Sequence, residues 1–459
     1  MTGQLNVGAG SVATTGKQLQ YSRIGHQVPR NRVGTSRSKS LTLLLLSAYV
    51  FCIPCQALLV VGGGASIARV VGWVAMASGV VTIVYCGIKL RPTIGAWFVA
   101  VFLLWNLLSV TWSVSSAATI SACVRDSQLA GMVLLCWAFI SSSEDIARLF
   151  ASYTVGASLA LGFTIWNFAH GITYLGTMDS RYVASGFDPN EMAIIFVLGV
   201  PMAVQLSLDS ASKSRRHWAM MYLPAAIVGT VLTGSRTGSI ALTVALLFSG
   251  RVLLSGSFGK KAVVTLLAGL SVALIMIVAS ESERARVGSV ATETFAGTLT
   301  EGGLSQRFEV WNCAWQLFRE YPFFGVGAGA FAPAVARYYG KPIVAHNTYI
   351  SILVETGTIG FALCTLMIVV VLSQMKRIEF RMRRTLMSLV AVLSTAFFAL
   401  TWEGDKSTWL VLALLLTAPN LTNSRWANPR PLPLLRRPIS GWSRCHTPTS
   451  CFGSVSTKR

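Results

Sequence analysis

The sequence predicts an all-α polytopic membrane protein with about 12 transmembrane helices. Three observations predict this class. Few residues are charged, apolar segments recur along the chain, and basic residues cluster in alternate loops.

Only 12% of the 459 residues are charged, and the mean hydropathy is +0.59. A soluble domain usually has about 25% charged residues, so this deficit indicates a surface that mostly faces lipid. Apolar stretches of about 17–25 residues, long enough to cross a bilayer, recur along the chain. They lie at 41–61, 66–88, 94–112, 121–140, 147–168, 190–208, 217–233, 238–254, 261–280, 346–373, 384–400 and 406–419.

The net charge of +21 could indicate nucleic-acid binding, but the positions of the charges argue against it. Basic clusters precede the first segment and follow the second, sixth, eighth, tenth and twelfth, which places them all on one side of the membrane. Such a bias marks the cytoplasmic face. We therefore expect a multi-pass protein of the bacterial inner membrane, with both termini in the cytoplasm and no nucleic-acid partner.

The same pattern divides the chain into three parts. Residues 1–40 and 421–459 are basic and polar, and we expect both to be disordered and cytoplasmic. Residues 41–420 form the transmembrane domain, which includes a long periplasmic loop at 281–345. An outward loop of that length is more often functional than a simple connector.

The long loop is expected to contain a helix from about 305 to 320 that ends before Pro322. Trp311, Trp315 and Phe318 recur at helical spacing and give it one aromatic face, typical of a helix on a membrane surface. Arg307, four residues before Trp311, projects from the same side. Arg307 is either a functional cation or part of an interfacial anchor.

A glycine-rich turn, Gly325-Val-Gly327-Ala-Gly329, follows this helix. No strand precedes it, so a dinucleotide site is not indicated. We expect a turn whose N–H groups approach a substrate, although packing alone would also explain the glycines.

The tenth segment begins with His346 and Asn347 at its outer mouth. Asn347, Ser351 and Glu355 are spaced by four and form a polar stripe on an otherwise apolar helix. An ionisable residue in a membrane helix is a functional candidate, because its burial is costly. Glu355 lies on the opposite side of the helix from His346, so it is not expected to orient that histidine.

Two more outward turns carry cations against the general charge bias. Arg236 lies in Gly234-Ser-Arg-Thr-Gly238, where a guanidinium beside backbone donors is suited to binding an anion. Arg181 precedes Asp188-Pro-Asn190-Glu191, which reads as a helix start with Asp188 as the cap. We interpret this start as mainly structural.

Together these motifs, over about 181–361, resemble the O-antigen ligase and polymerase superfamily of bacterial envelope glycan enzymes. The resemblance implies a GT-C-like fold with a large loop between helices 9 and 10. It also implies a glycan donor linked to undecaprenyl diphosphate, and a glycan or lipid A–core acceptor. It implies catalysis without a metal ion or a nucleotide cofactor. Proteins of a polysaccharide export complex are candidate partners.

The catalytic residues of the family would fall on Arg236, Arg307 and His346. Substrate-binding positions would be Arg181, Asn190, Ser235, Gly325, Gly327, Asn347 and Glu355. The chemistry of the residues fits, because guanidinium groups can neutralise a leaving phosphate and a histidine can accept a proton from an acceptor hydroxyl.

Ligase and polymerase both remain open, with a slight preference for polymerase because polymerases are the more numerous. A secondary transporter or lipid flippase is the alternative class. Transporters usually place charges at the membrane midplane on broken helices, whereas the polar features here gather at one surface.

Overall fold

The structure, a computed structural model, describes residues 30–61, 65–90, 93–176, 181–209, 213–254 and 304–425. Thirteen helices occupy most of this part of the chain. The first eight are α1 (Arg30–Cys52), α2 (Ile67–Cys86), α3 (Ile94–Leu108), α4 (Ser116–Phe139), α5 (Ser143–Ala169), α6 (Pro189–Asp209), α7 (Lys213–Thr233) and α8 (Arg236–Leu254). The others are α9 (Leu304–Glu320), α10 (Phe331–Tyr339), α11 (Thr348–Ser373), α12 (Phe380–Phe397) and α13 (Lys406–Arg425).

Helices dominate the described residues, as the sequence predicts. Eleven of the twelve predicted segments overlap a helix, and the ninth, at 261–280, lies outside the described residues. In the part of the chain that the structure describes, five helical stretches are long and apolar enough to cross a membrane: Ile67–Cys86, Ile94–Thr111, Ser143–Gly176, Pro189–Leu208 and Thr348–Arg377. These findings agree with a polytopic all-α membrane protein, while the number of about 12 spans stays a prediction.

The two ends of the predicted membrane domain differ from expectation. Helix α1 begins at Arg30 and ends at Cys52, whereas the predicted segment ran from 41 to 61. Pro54 follows the helix end, and a proline inside a helix removes a hydrogen bond and clashes with the preceding turn. A turn and a two-residue antiparallel ladder, β1 (Val60–Val61) and β2 (Ala65–Ser66), then lead into α2. At the other end α13 continues to Arg425; residues 1–29 and 426–459 lie outside the described part.

Helix α6 is the centre of the bundle. It packs against α5, α7, α8 and α12, and nearly every side chain from Met192 to Leu206 is buried. Gly238 in α8 allows a close approach, since a Cβ there would overlap the Cβ of Ala193 in α6. The outward ends of α6 and α8 are thereby held side by side.

The described part of the long loop has a small core of its own. Helix α9 matches the predicted surface helix, and α10 follows the glycine-rich turn. Buried apolar side chains from α9, the turn, α10 and the start of α11 form this core: Val310, Ala314, Leu317, Val326, Ala330, Phe331, Ala334, Val335, Ala345 and Val354. The loop is therefore a folded unit that packs on the outer end of α11.

Helix α11 is broken at Gly357, which has φ 67° and ψ −174°. The break leaves N–H and carbonyl groups of α11 without the partners they would have in a continuous helix. The segment 322–327 forms hydrogen bonds with these groups. Val326 N–H donates to the carbonyl of Val354, and Gly327 N–H donates to that of Glu355, both at 2.9 Å.

After the break, N–H groups of α11 donate to carbonyl groups of the same segment. Thr358 N–H donates to Pro322 O at 2.9 Å, and Ile359 N–H donates to Phe323 O at 3.3 Å. A side chain at Gly357 would overlap the carbonyl of Phe323. The backbone of the outer loop is thus bonded directly into a membrane helix, an arrangement we call the α11 junction (322–327 with 354–359).

Aromatic side chains close the α11 junction on the α3 side. The indole N–H of Trp105 donates to Thr356 O, and that of Trp112 donates to Phe324 O, both at 3.1 Å. The rings of Trp105, Trp112 and Phe324 contact one another with centroids 5.3–5.8 Å apart. Such an aromatic group is typical of a membrane–water interface.

We predict that Gly357→Ala destabilises the folded protein by about 1–3 kcal/mol or more, since its backbone conformation is close to one that only glycine adopts readily. The overlap with Phe323 adds to that cost. The measurement is the apparent melting temperature of the purified protein in detergent.

Two control substitutions separate the cost of the backbone conformation from the cost of the steric overlap. Gly162 in α5 has open space around it and no positive φ, so Gly162→Ala should melt like wild type. Gly340 has φ 81° but open space, so Gly340→Ala should show only the backbone cost. Equal melting temperatures for Gly357→Ala and Gly162→Ala would contradict the proposed role of the α11 junction.

Candidate functional site

The start of α6 is built by Asp188, as the sequence predicts. Its carboxylate accepts hydrogen bonds from the backbone N–H groups of Asn190 at 2.8 Å and Glu191 at 3.4 Å. Pro189 occupies the first helical position, where a missing N–H costs nothing. This start places Asn190 in the first turn of the central helix.

Asn190 connects three chain segments through one oxygen. Its Oδ1 accepts a hydrogen bond from Ser235 Oγ at 2.8 Å and from Arg181 Nη2 at 3.4 Å. Arg181 Nε also donates to Thr233 O at 3.2 Å. Three residues predicted to bind substrate, Arg181, Asn190 and Ser235, are therefore in one hydrogen-bonded network.

Arg236 extends from the edge of this network. Ser235 Oγ accepts from Gly238 N–H at 3.0 Å, which caps α8 and makes Arg236 its first residue. Arg236 is exposed. Gly234 has φ 59°, and the turn that it forms places the guanidinium of Arg236 at the start of α8, beside α6.

Helix α9 brings Arg307 to the same region. The indole N–H of Trp311 donates to Ala345 O at 2.9 Å, which fixes α9 against the residue before His346. Arg307 lies one turn earlier and is half-buried. The aromatic face therefore has a positioning role in addition to the membrane contact that the sequence suggests.

His346 has an uncommon backbone conformation. Its φ is 48°, in the left-handed region that non-glycine residues seldom occupy. Asn347 follows as the cap of α11, accepting a hydrogen bond from Ile350 N–H at 3.1 Å. Such strain is often found at functional sites, because the surrounding structure must hold it in place.

Charge interactions link Asp188, Arg307 and His346. Burial lowers the pKa of His346 below its usual value, Arg307 lowers it further, and Asp188 opposes both. Burial also lowers the pKa of the Arg307 guanidinium, again opposed by Asp188. An acid, a cation and an imidazole from α6, α9 and the start of α11 thus form one charged cluster.

The glycine-rich turn is bonded within the protein. The N–H groups of Gly325 and Gly327 donate to Tyr321 O and Glu355 O, at 3.1 Å and 2.9 Å. A Cβ on Gly325 would overlap the backbone of Glu355. Both glycines therefore have a packing role at the α11 junction, and their contact with substrate stays a prediction.

Glu355 has hydrogen-bond partners within the long loop. Its buried carboxylate accepts hydrogen bonds from the N–H groups of Gly329 at 2.7 Å and Phe331 at 3.2 Å, so it fixes the turn at the start of α10. Its separation from His346 and its contact with substrate stay predictions. Asn347 is likewise occupied as a helix cap.

Sequence reasoning missed the segment 399–405 between α12 and α13. The hydroxyl of Thr348 donates to Leu400 O at 2.7 Å and accepts from Trp402 N–H at 2.9 Å. Ser351 Oγ donates to Glu403 Oε1 at 2.9 Å. The polar stripe of α11 could have indicated a polar partner, but nothing in the sequence identifies which segment supplies it.

The arrangement suits a group-transfer reaction in which the leaving group departs as an anion. Arg307 and Arg236 offer positive charge, and His346, with its lowered pKa, offers an uncharged base near neutral pH. Among the described residues, no three or more His, Cys, Asp and Glu side chains are grouped so as to hold a metal ion.

Comparison with known proteins points to one family. No curated protein matches the chain. Residues 221–365 match the protein-family model described as O-antigen ligase. This stretch contains Arg236, Arg307, His346 and the α11 junction. The match confirms the predicted resemblance: this part of the chain is similar to the O-antigen ligase family.

Proposed function

We propose that the protein is a membrane glycosyltransferase of the periplasmic face of the bacterial inner membrane. It moves a glycan from undecaprenyl diphosphate to a sugar acceptor, as a polysaccharide polymerase or an O-antigen ligase, with a slight preference for polymerase. The grouping of Asp188, Arg307 and His346 is the observation that carries the proposal.

In the proposed reaction the acceptor hydroxyl gives its proton to the imidazole of His346. The hydroxyl oxygen bonds to the anomeric carbon of the donor, and the bond from that carbon to the diphosphate oxygen breaks. The electron pair stays on the diphosphate, whose growing charge Arg307 and Arg236 neutralise without a metal ion. Charge-assisted hydrogen bonds from guanidinium groups are strong enough for this role.

Asp188 is proposed to act through His346 and Arg307. Its negative charge favours the imidazolium that forms when His346 takes the proton. It also opposes the loss of charge that burial imposes on Arg307. The Arg181–Asn190–Ser235 network is proposed to hold Arg236 in register with this cluster.

The function is tested by deleting the gene and profiling surface polysaccharide together with lipid-linked intermediates. Single lipid-linked repeat units accumulate if the protein is a polymerase. Long lipid-linked chains that are not attached to lipid A–core accumulate if it is a ligase. An unchanged glycan profile in a strain without a paralogue would contradict the proposal and leave transport as the leading interpretation.

We predict that His346→Gln lowers the transfer rate by about 10²–10⁴-fold, because the acceptor hydroxyl loses its base. Arg307→Ala should lower it by about 10²–10³-fold, because charge on the leaving diphosphate is no longer neutralised. The rates are measured with purified protein and a lipid-linked glycan. Arg319→Ala, at the far end of α9, is the matched control and should keep the wild-type rate. Wild-type rates for both site variants would rule out the assigned roles.

The activity should fall at acid pH with a midpoint below about 6.5, the usual pKa of histidine. The base form of His346 is active, and burial and Arg307 both lower its pKa, so protonation begins at lower pH than for a free histidine. Asp188→Asn removes a charge that raises this pKa while keeping a side chain that can cap α6, so its midpoint should move to still lower pH. A midpoint that moves upward in Asp188→Asn would contradict the assignment.

A further inference from the structure

The backbone at His346 must be held by its neighbours, because residues other than glycine seldom adopt its φ of 48°. The residue before it is fixed by Trp311, whose indole N–H donates to Ala345 O at 2.9 Å. On the other side Asn347 caps α11, but its bond with Ile350 N–H stays within that helix. The cap therefore does not fix the start of α11 to the rest of the bundle.

Thr348, the first residue of α11, makes this connection. Its hydroxyl donates to Leu400 O at 2.7 Å and accepts from Trp402 N–H at 2.9 Å, and both hydrogen bonds are buried. One side chain thus satisfies a carbonyl and an N–H group of the segment between α12 and α13. Only a group that can donate and accept at once does this, and a hydroxyl is such a group.

Other threonines of the membrane helices bond within their own helix. Donation to the carbonyl four residues earlier is found for Thr154, Thr230, Thr356, Thr365 and Thr417. Bonds of this kind do not connect one helix to another. Thr348 has no preceding turn of helix, and its hydroxyl bonds instead to residues 52 and 54 positions away along the chain.

The segment that Thr348 contacts is itself tied to α13. The indole N–H of Trp409, in the first turn of α13, donates to Glu403 O at 2.7 Å. Ser351, which is buried one turn after Thr348, donates from its Oγ to Glu403 Oε1 at 2.9 Å. Helices α11 and α13 pack only slightly on each other, so hydrogen bonds through this segment connect their starts.

The start of α11 also has an apolar contact with the end of α12. The ring of Tyr349 lies near those of Phe397 and Phe398, with centroids 6.0 Å and 5.0 Å apart. Apolar contacts are non-directional, whereas two hydrogen bonds to one hydroxyl restrict both distance and angle. The hydroxyl of Thr348 is therefore the group that fixes where the first residue of α11 lies.

We propose that Thr348 is a positioning residue for His346. Its hydroxyl fixes the start of α11 to the segment 400–402, so that the imidazole two residues earlier stays in the cluster with Arg307. His346 is thus held through Trp311 on the α9 side and through Thr348 on the α13 side. The inference rests on the proposed function in taking His346 as the base, and Thr348 acts through His346 and not on a substrate.

The position of His346 is measured without activity, by NMR of the purified protein in lipid nanodiscs with ¹³C-labelled histidine. The chain has five histidines, and the signal of His346 is the one absent from His346→Gln. In the wild type, burial and the charge of Arg307 lower the pKa of His346, and Asp188 opposes both. In Thr348→Val the imidazole leaves this environment, so its signal should shift and its pKa should rise toward about 6.5.

The same variant should lower kcat by about 10–100-fold with little change in KM, since a displaced base slows the reaction without removing a substrate contact. Its pH midpoint should move upward, opposite to the change expected for Asp188→Asn. Thr348→Ser keeps the hydroxyl and should restore the wild-type rate and the wild-type His346 signal. Thr417→Val is the matched control, because it removes a buried threonine hydroxyl that bonds within α13, and it should resemble wild type in both measurements.

A second pair of variants is used if Thr348→Val does not fold. Thr348→Cys is compared with Thr348→Ser, because the two side chains are similar in shape and a thiol is only a weak hydrogen-bond donor. The His346 signal should shift in Thr348→Cys and stay at its wild-type position in Thr348→Ser.

Three results would overturn the inference. They are a wild-type His346 signal in the folded variant that lacks the hydroxyl, an equal shift of that signal in Thr348→Ser, and an equal loss of kcat in Thr417→Val. A wild-type rate in His346→Gln, together with a shifted His346 signal in Thr348→Val, would instead contradict the proposed function and leave the positioning contact standing.

Discussion

The break in α11 at Gly357 is the constraint on which the arrangement of the outer face depends. A membrane helix normally satisfies all its backbone groups internally, because unpaired groups in hydrocarbon are costly. Here the free groups on both sides of the break are bonded by the segment 322–327. The outer loop is therefore held by the membrane helix itself, and not only by side-chain contacts.

The α11 junction positions the charged residues of the candidate site. The carboxylate of Glu355 fixes the turn at the start of α10, and Trp311 ties α9 to the residue before His346. Arg307 on α9 is consequently brought toward the start of α11, while Asp188 is held at the start of α6 by its own capping bonds. The cluster combines one segment from the loop and two from the bundle, so its geometry requires the loop to be docked.

Much of this could be predicted from the sequence, because hydropathy, charge bias and capping patterns depend on neighbouring residues. The helix near 305–320 and the start of α6 at Asp188 both follow from local spacing. The convergence of Arg307 with His346 was suggested only by a family resemblance. The charge interaction of Asp188 with both was not predicted, because its capping role already explained it.

The remaining differences come from contacts between distant segments. Gly325 and Gly327 have the composition of a substrate-binding turn, yet the N–H of Gly327 donates to Glu355 O at a break in α11 that no local pattern indicates. Likewise only the packing of α4 with α13 places Arg125 beside Gly404, which no spacing within either segment indicates. Sequence spacing reveals which residues share a helix face, but not which helices meet.

We propose that a lipid-linked glycan reacts at the cluster of Asp188, Arg307 and His346. The most direct measurement is the release of polyprenyl diphosphate from a lipid-linked glycan donor and an acceptor glycan by the purified protein in lipid nanodiscs. The account predicts release that needs the acceptor, that is lost in Arg307→Ala and His346→Gln, and that persists in Gly162→Ala. Release at the wild-type rate in both site variants would contradict it.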